Sequence, residues 1–126
     1  MPKFTAGDLV DVDIAESPAA TPVHTTAAAN TAVVRTYAAV AGQRHRLVAL
    51  SCSFSAAAAT TGLLTVEDGA GTTVFSVDVP LAVNTPFVAQ LPDGGIQGSV
   101  NTALIITLAA GGAGAVGKVN TAKVTA

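Results

Sequence analysis

The chain has 126 residues, a length that fits one domain with a single hydrophobic core. Only 11% of its residues are charged and the net charge is -2, so it lacks the clustered Lys and Arg that neutralise nucleic-acid phosphates. One cysteine excludes an intrachain disulfide, and no apolar stretch reaches the roughly 20 residues of a membrane-spanning helix. We therefore expect neither nucleic acid nor membrane as a partner.

Residues 1–22 differ in composition from the rest of the chain. They hold four of the eight acidic residues, and residues 9–14 alternate apolar side chains with Asp11 and Asp13. This alternation is typical of a strand. We predict an extended acidic N-terminal arm over 1–22, followed by a β-sandwich domain over 23–126. The arm lacks the apolar centre of a secretory signal, which predicts that the protein stays in the cytoplasm where it is made, without a signal peptide.

The clearest periodic pattern covers residues 46–55. Apolar side chains recur there at every second position, namely Val48, Leu50, Cys52 and Phe54. The positions between them are Ala or Ser. A two-residue period predicts a strand with one face in the core and a smooth face of small residues opposite.

Short strands separated by Gly, Pro and Asp turn residues are predicted over the rest of the chain. They cover residues 31–37, 63–67, 73–79, 86–91, 96–99 and 103–108, and the stretches 116–120 and 122–124 form one last, weaker strand. Asp68-Gly69 is the strongest hairpin signal, because glycine adopts the positive φ of a tight turn. Residues 56–62 are predicted as a loop, because their run of alanines is too short to form a helix alone; a single helical turn is the alternative there. This spacing, with no long helical period, indicates an all-β fold: a β-sandwich with a jelly roll as the leading topology.

Two patterns suggest chemistry, and neither is supported by its context. Residues 112–117 match G-x-G-x-x-G, but the nine residues that follow cannot supply the helix and second strand of a dinucleotide site. His45 and Cys52 resemble a base and a thiol nucleophile. They are seven residues apart on one predicted strand, which separates them by roughly 23 Å. We therefore predict no enzymatic activity and a structural, buried Cys52.

Two pairs of carboxylates are candidates for a hard cation. One is Asp11 with Asp13, and the other is Glu67 with Asp68. No calcium-loop spacing accompanies either pair, and a solvated acidic arm explains the first one more simply. We predict no metal and no cofactor. Carbohydrate cleavage is also disfavoured, because the chain has only four Phe, one Tyr and no Trp to line a sugar cleft.

The only basic cluster is Arg44-His45-Arg46, at the start of the central strand. One interpretation is a solvated strand end. The other is a contact with an acidic surface, because arginine pairs well with carboxylates. The arm of a neighbouring copy offers such a surface, and we predict an inter-subunit contact between two sets of residues: Asp8, Asp11 and Asp13, and Arg44 and Arg46.

Residues 37–47, 64–69, 98–104 and 109–120 carry a resemblance to a known group of proteins. They resemble small β-sandwich virion proteins of tailed bacteriophages, and head decoration (cement) proteins are the nearest group. The resemblance is one of pattern over about residues 31–120, and it brings no functional residue with it. It implies a non-enzymatic protein that binds the outside of an assembled capsid as a dimer or trimer.

The resemblance leads to one expected function and one alternative. The expected function is stabilisation of a phage capsid from its outer surface, with the major capsid protein and further copies of the chain as partners. The expected location is the capsid exterior of the virion. The alternative is a β-sandwich module of a phage tail or fibre that binds a surface glycan or another protein.

Overall fold

The computed structural model describes residues 19–56, 62–79 and 85–126. These residues form strands and no helix, and so include no helix that could span a membrane. The strands are β1 (Thr21–Thr26), β2 (Val33–Tyr37), β3 (His45–Phe54), β4 (Gly62–Asp68), β5 (Thr73–Val79), β6 (Phe87–Val88), β7 (Ile96–Gln97), β8 (Leu104–Leu108) and β9 (Gly117–Thr125). The strand predicted at 9–14 and most of the helical turn considered at 56–62 lie outside the described residues.

The strands form two antiparallel sheets that pack face to face. Sheet A has the order β1-β9-β3-β6, with β7 also paired to β3, and sheet B has the order β2-β8-β4-β5. The short strands β6 and β7 both pair with β3, at different points along it, so they are two parts of one interrupted strand. When β6 and β7 are counted as one strand, the two sheets have four strands each and the strand order of a jelly roll. The predicted all-β sandwich is confirmed.

Most of the predicted strands are present within a few residues of their expected bounds. The hairpin of β4 and β5 turns at Asp68, and both Gly69 and Gly71 have positive φ angles, 79° and 87°. The last strand predicted from the sequence is present as β9, which is continuous from Gly117 to Thr125. The nearly continuous apolar run of residues 103–108 predicts that strand β8 is either buried on both faces or covered by a partner. Its alternate residues are fully buried, and the residues between them are half-buried.

Strand β1 is the element that the sequence pattern missed. It runs from Thr21 to Thr26 and pairs with β9 along its whole length. Its inward side chains, Val23 and Thr25, are only half-buried, and Pro22 is exposed. A polar edge strand has no strong alternation, so its pattern resembles that of a linker. The strand includes the last two residues of the range predicted as the arm.

The inner faces of the two sheets form one hydrophobic core. Its fully buried members come from both sheets: Val33, Leu47, Leu50, Cys52, Phe54, Leu64, Val66, Leu104, Ile106, Leu108 and Val119. The packing leaves no space beside two glycines of the last loop and strand. A Cβ on Gly111 would lie 2.8 Å from the Phe54 ring, and one on Gly117 would lie 2.9 Å from the Val33 side chain. Glycine thus lets backbone lie directly against core side chains.

The predicted core face of β3 is wrong at one position. The pairing with β9 passes from Leu47 opposite Lys123 to Ala49 opposite Ala122, so Val48 is the extra residue of a β-bulge. An extra residue reverses which side chains point inward. Leu47 therefore lies in the core instead of Val48, which is only half-buried.

Gly95 lies directly against this bulge. Its φ is 84°, and a Cβ there would overlap the Leu47 carbonyl oxygen. We predict that Gly95→Ala lowers the free energy of unfolding by about 3 kcal/mol or more, because left-handed strain and steric overlap add together. Gly114→Ala is the matched control: its φ is 77° and nothing lies within 4 Å of the added Cβ.

Urea denaturation of both variants measures the difference. The control is expected to lose only about 1–2 kcal/mol, the cost of the left-handed backbone alone. Equal losses in the two variants would contradict the close approach of Gly95 to the bulge.

Candidate functional site

The outer face of sheet A brings the two predicted arginines together at one end. Arg46 pairs with Gln97 on β7 and with Val124 on β9, and its Nη1 donates a hydrogen bond to the Gly94 carbonyl at 2.9 Å. Arg44 exchanges two backbone hydrogen bonds with Ala126, of 2.9 and 3.1 Å. A shallow depression of about 330 Å³ lies here, lined by Arg44, Arg46, Gln97, Val124 and Ala126. A small basic depression therefore marks this end of the sheet.

Small and apolar side chains occupy the middle of the same face. Two further depressions, of about 340 and 320 Å³, lie on either side of Val88. They share Ala49, Leu50 and Val88 in their walls. Val88 is 74% exposed, the most exposed large hydrophobic side chain among the described residues. The face is therefore smooth and apolar at its centre, which is typical of a surface that another chain covers.

The two outer faces of the sandwich carry opposite charge. The outward cations of sheet A are Arg44, Arg46 and Lys118, and Asp93 lies at the rim of one depression on that face. On sheet B, Glu67 and Asp78 lie at outward-facing positions. Among the described residues, sheet A is thus the basic face and sheet B the acidic face. The acidic residues predicted as partners of the arginines, Asp8, Asp11 and Asp13, lie outside the described part of the chain.

His45 does not belong to the basic surface cluster in which the sequence placed it. It is 2% exposed and faces the interior, between the two outward arginines. Its Nε2 lies 2.8 Å from the Ala38 carbonyl oxygen, and its Nδ1 lies 2.8 Å from Thr125 Oγ1. Because a carbonyl only accepts, Nε2 carries a hydrogen. Both ring nitrogens are therefore engaged in holding the end of the sandwich together.

A second buried polar group lies beside His45. The Tyr37 hydroxyl and Thr121 Oγ1 are 2.5 Å apart, and Thr121 also donates to the Val23 carbonyl at 3.4 Å. The ammonium of Lys123 lies 5.0 Å from the centroid of the Tyr37 ring, a cation–π distance. No buried side-chain N or O atom among the described residues lacks a hydrogen-bond partner. This network is a structural feature that sequence periodicity did not reveal.

Cys52 is a core residue, as predicted. Its side chain is 2% exposed, and burial raises the pKa of its thiol to about 11. A protonated buried thiol is a poor nucleophile. His45, the base considered for it, is occupied by Thr125 and Ala38. The described structure thus gives Cys52 a packing role.

The remaining motifs also have structural roles in the described chain. The glycine-rich loop leads at Gly117 into strand β9, where a dinucleotide fingerprint requires a helix. The Asp68 carboxylate accepts hydrogen bonds from the Ser99 amide and hydroxyl, at 2.9 and 2.6 Å. Glu67 accepts one from the Gly71 amide at 2.5 Å. Within the described ranges, no three His, Cys, Asp or Glu side chains come together as metal ligands.

Comparisons with known proteins give no match to any family model, any curated protein or any solved structure. Function is therefore inferred from the geometry of the described residues together with the resemblance in sequence pattern.

The pair of Tyr37 and Thr121 makes a prediction about stability. Thr121→Val removes the partner of the buried Tyr37 hydroxyl, and we expect the free energy of unfolding to fall by about 1–3 kcal/mol. Tyr37→Phe removes the other partner. In the double variant neither group is left unpaired, so its loss is expected to be smaller than the sum of the two single losses. Urea denaturation of all four proteins gives this coupling, and strictly additive losses would contradict the hydrogen bond.

The buried thiol makes a prediction about pH. The thiol has its ordinary pKa of 9.0 in the unfolded chain, whereas burial raises the pKa of the folded thiol to about 11. Between these values the unfolded state binds fewer protons, so Cys52 lowers the free energy of unfolding by about 1.4 kcal/mol per pH unit.

Cys52→Ala lacks this thiol and is the reference protein. Cys52→Ala is expected to have a lower free energy of unfolding than the parent protein at pH 9. This difference is expected to shrink as the pH rises towards 11, as measured by urea denaturation at several pH values. A constant difference between the two proteins would show that the folded thiol titrates normally.

Proposed function

We propose that this protein is a structural virion protein that binds the outer surface of a phage capsid and stabilises it. The observation that carries the proposal is the outer face of sheet A, with an exposed Val88 between two depressions and a pair of arginines at one end. Jelly rolls are common among viral coat proteins, and the sequence resembles phage decoration proteins. Fold alone does not assign function, so the assignment rests on this face and the resemblance together.

The proposed contact uses packing and backbone rather than catalysis. The centre of the face is made of small side chains such as Ala49, Ser51 and Ala122, which allow a partner surface to approach the sheet closely. Each contact needs only modest energy, because an icosahedral shell repeats the same site many times. In this proposal the protein has no catalytic role, and its location is the capsid exterior.

We further propose that copies of the chain associate as a dimer or trimer through the outer face of sheet B. Exposed apolar side chains of three strands lie on that face: Val34, Leu63 and Val74. They are separated mainly by threonine and serine, and Glu67 and Asp78 are the charged side chains at outward positions of this face. A sparsely charged sheet face suits contact between identical copies.

The alternative function, a tail or fibre module that binds a glycan, has weaker support. Sugar sites use exposed aromatic rings, and the aromatic residues of the described chain pack in or against the core: Tyr37, Phe54, Phe75 and Phe87. If the protein instead binds a tail or fibre protein through sheet A, it is expected to bind tails or fibres and not capsids.

The decoration proposal predicts co-sedimentation with empty capsids assembled from the major capsid protein that is encoded near its gene. Val88→Asp places a charge at the centre of the proposed contact, and we expect it to abolish binding. Val100→Asp is the matched control, because Val100 is 40% exposed in the segment between β7 and β8, outside both proposed contact faces. It is expected to bind capsids like the parent protein.

Two results would overturn this proposal. One is a parent protein that stays in the supernatant when capsids sediment. The other is a Val88→Asp variant that binds as tightly as the Val100→Asp control. Circular dichroism of both variants checks that the fold is retained.

A further inference from the structure

The outer face of sheet A is close to the point at which the N-terminal residues join the sandwich. Thr21, the first residue of β1, pairs with Lys123, and Lys123 pairs with Leu47. Leu47 is the neighbour of Arg46 in the chain. The chain therefore enters sheet A at the same end as the basic depression, two strands away from it.

We propose that residues 8–14 of the same chain lie across this outer face, beside Arg44 and Arg46. The segment carries two kinds of side chain in alternation. Val10, Val12 and Ile14 form one set, and Asp11 and Asp13 form the other. In the free protein the apolar set covers the smooth centre of the face around Val88, and the carboxylates lie on the outer side of the segment; the capsid contact proposed above takes the place of this segment.

Charge complementarity selects this face over the other one. Sheet A has arginines at outward positions, whereas sheet B has Glu67 and Asp78 at outward positions. Residues 1–18 contain four carboxylates and one lysine, so sheet B repels them and sheet A attracts them. Arginine side chains are long enough to pass beside the segment and reach its carboxylates with their guanidinium groups.

The length of the connection permits the contact. Six residues, 15–20, lie between Ile14 and Thr21, and an extended chain of that length spans about 20 Å. Two strand spacings, the distance from β1 to β3, amount to about 10 Å. The segment can therefore cross from β1 to the basic depression without strain.

The same connection favours the chain's own segment over that of a second copy. A short linker holds its segment near the face at an effective concentration of the order of millimolar. A segment from another copy must first lose its translational and rotational freedom, which costs at least about 4 kcal/mol. The structure thus directs the predicted contact between these aspartates and arginines into one chain, instead of between two.

A spin label at position 5 tests the proposal in the free protein, independently of any capsid. Thr5→Cys introduces a second thiol for labelling, while Cys52 is buried with a raised pKa and does not react. We expect the label to broaden the amide signals of Arg46, Gln97 and Val124 in the ¹⁵N spectrum. The signals of Val74 and Ser76, on the outer face of sheet B, are expected to keep their intensity.

Charge reversal tests the role of the arginines. In the labelled Arg44→Glu, Arg46→Glu variant we expect the broadening at Gln97 and Val124 to be lost. Lys118→Glu is the matched control: Lys118 is on the same face but pairs with Ser53, seven residues along β3 from Arg46 and roughly 23 Å away. Broadening is expected to persist in this control, and each spectrum also shows whether the variant is folded.

A mixed sample separates the two possible sources of the segment. It contains spin-labelled protein without ¹⁵N and ¹⁵N protein without a label, and we expect no broadening in it. Broadening of Arg46 and Val124 in the mixed sample would assign the contact to a second copy and overturn the proposal. Equal broadening of both outer faces, or broadening that survives the double charge reversal, would also overturn it.

Discussion

The β-bulge at Val48 is the constraint on which both faces of sheet A depend. Before it, His45 and Leu47 face the core, and after it the inward positions begin at Leu50. In an unbroken alternation, Arg44 and Arg46 would share the inward face with Leu50. Burying two guanidinium groups without partners costs several kcal/mol each. The bulge turns the arginines outward, and so creates a basic end on an otherwise apolar face.

Sequence periodicity was sufficient to predict the strands, but it could not predict the bulge. The strand at 46–55, the hairpin at Asp68 and the apolar strand before Leu108 all combine strong alternation or β-branched residues with turn residues at their ends. These are local signals. The bulge depends on Gly95, almost fifty residues away, whose missing side chain leaves room for the Leu47 carbonyl. A contact of that kind has no signature in the local pattern of β3.

The candidate site was only partly predicted, because the sequence pattern does not show which face each side chain of the basic cluster points to. The sequence identified Arg44 and Arg46 as the only basic cluster, but it grouped His45 with them because the three are adjacent. In a strand, adjacent residues point to opposite faces. His45 therefore joins the interior network with Thr125, while the arginines line the outer depression. The carboxylates predicted to meet them lie outside the described residues, and that pairing stays a prediction.

The interior network also explains why arginine, rather than lysine, gives this end of sheet A its charge. Lys123 is close to Arg46 in the sheet, but it occupies an inward position on β9. Its ammonium donates to Thr125 and lies over the Tyr37 ring. Val124, the next residue, points outward and is only 6% exposed, at the floor of the depression that the two arginines line. The outer face therefore presents two guanidinium groups above an apolar floor, which suits a segment that alternates carboxylates with aliphatic side chains.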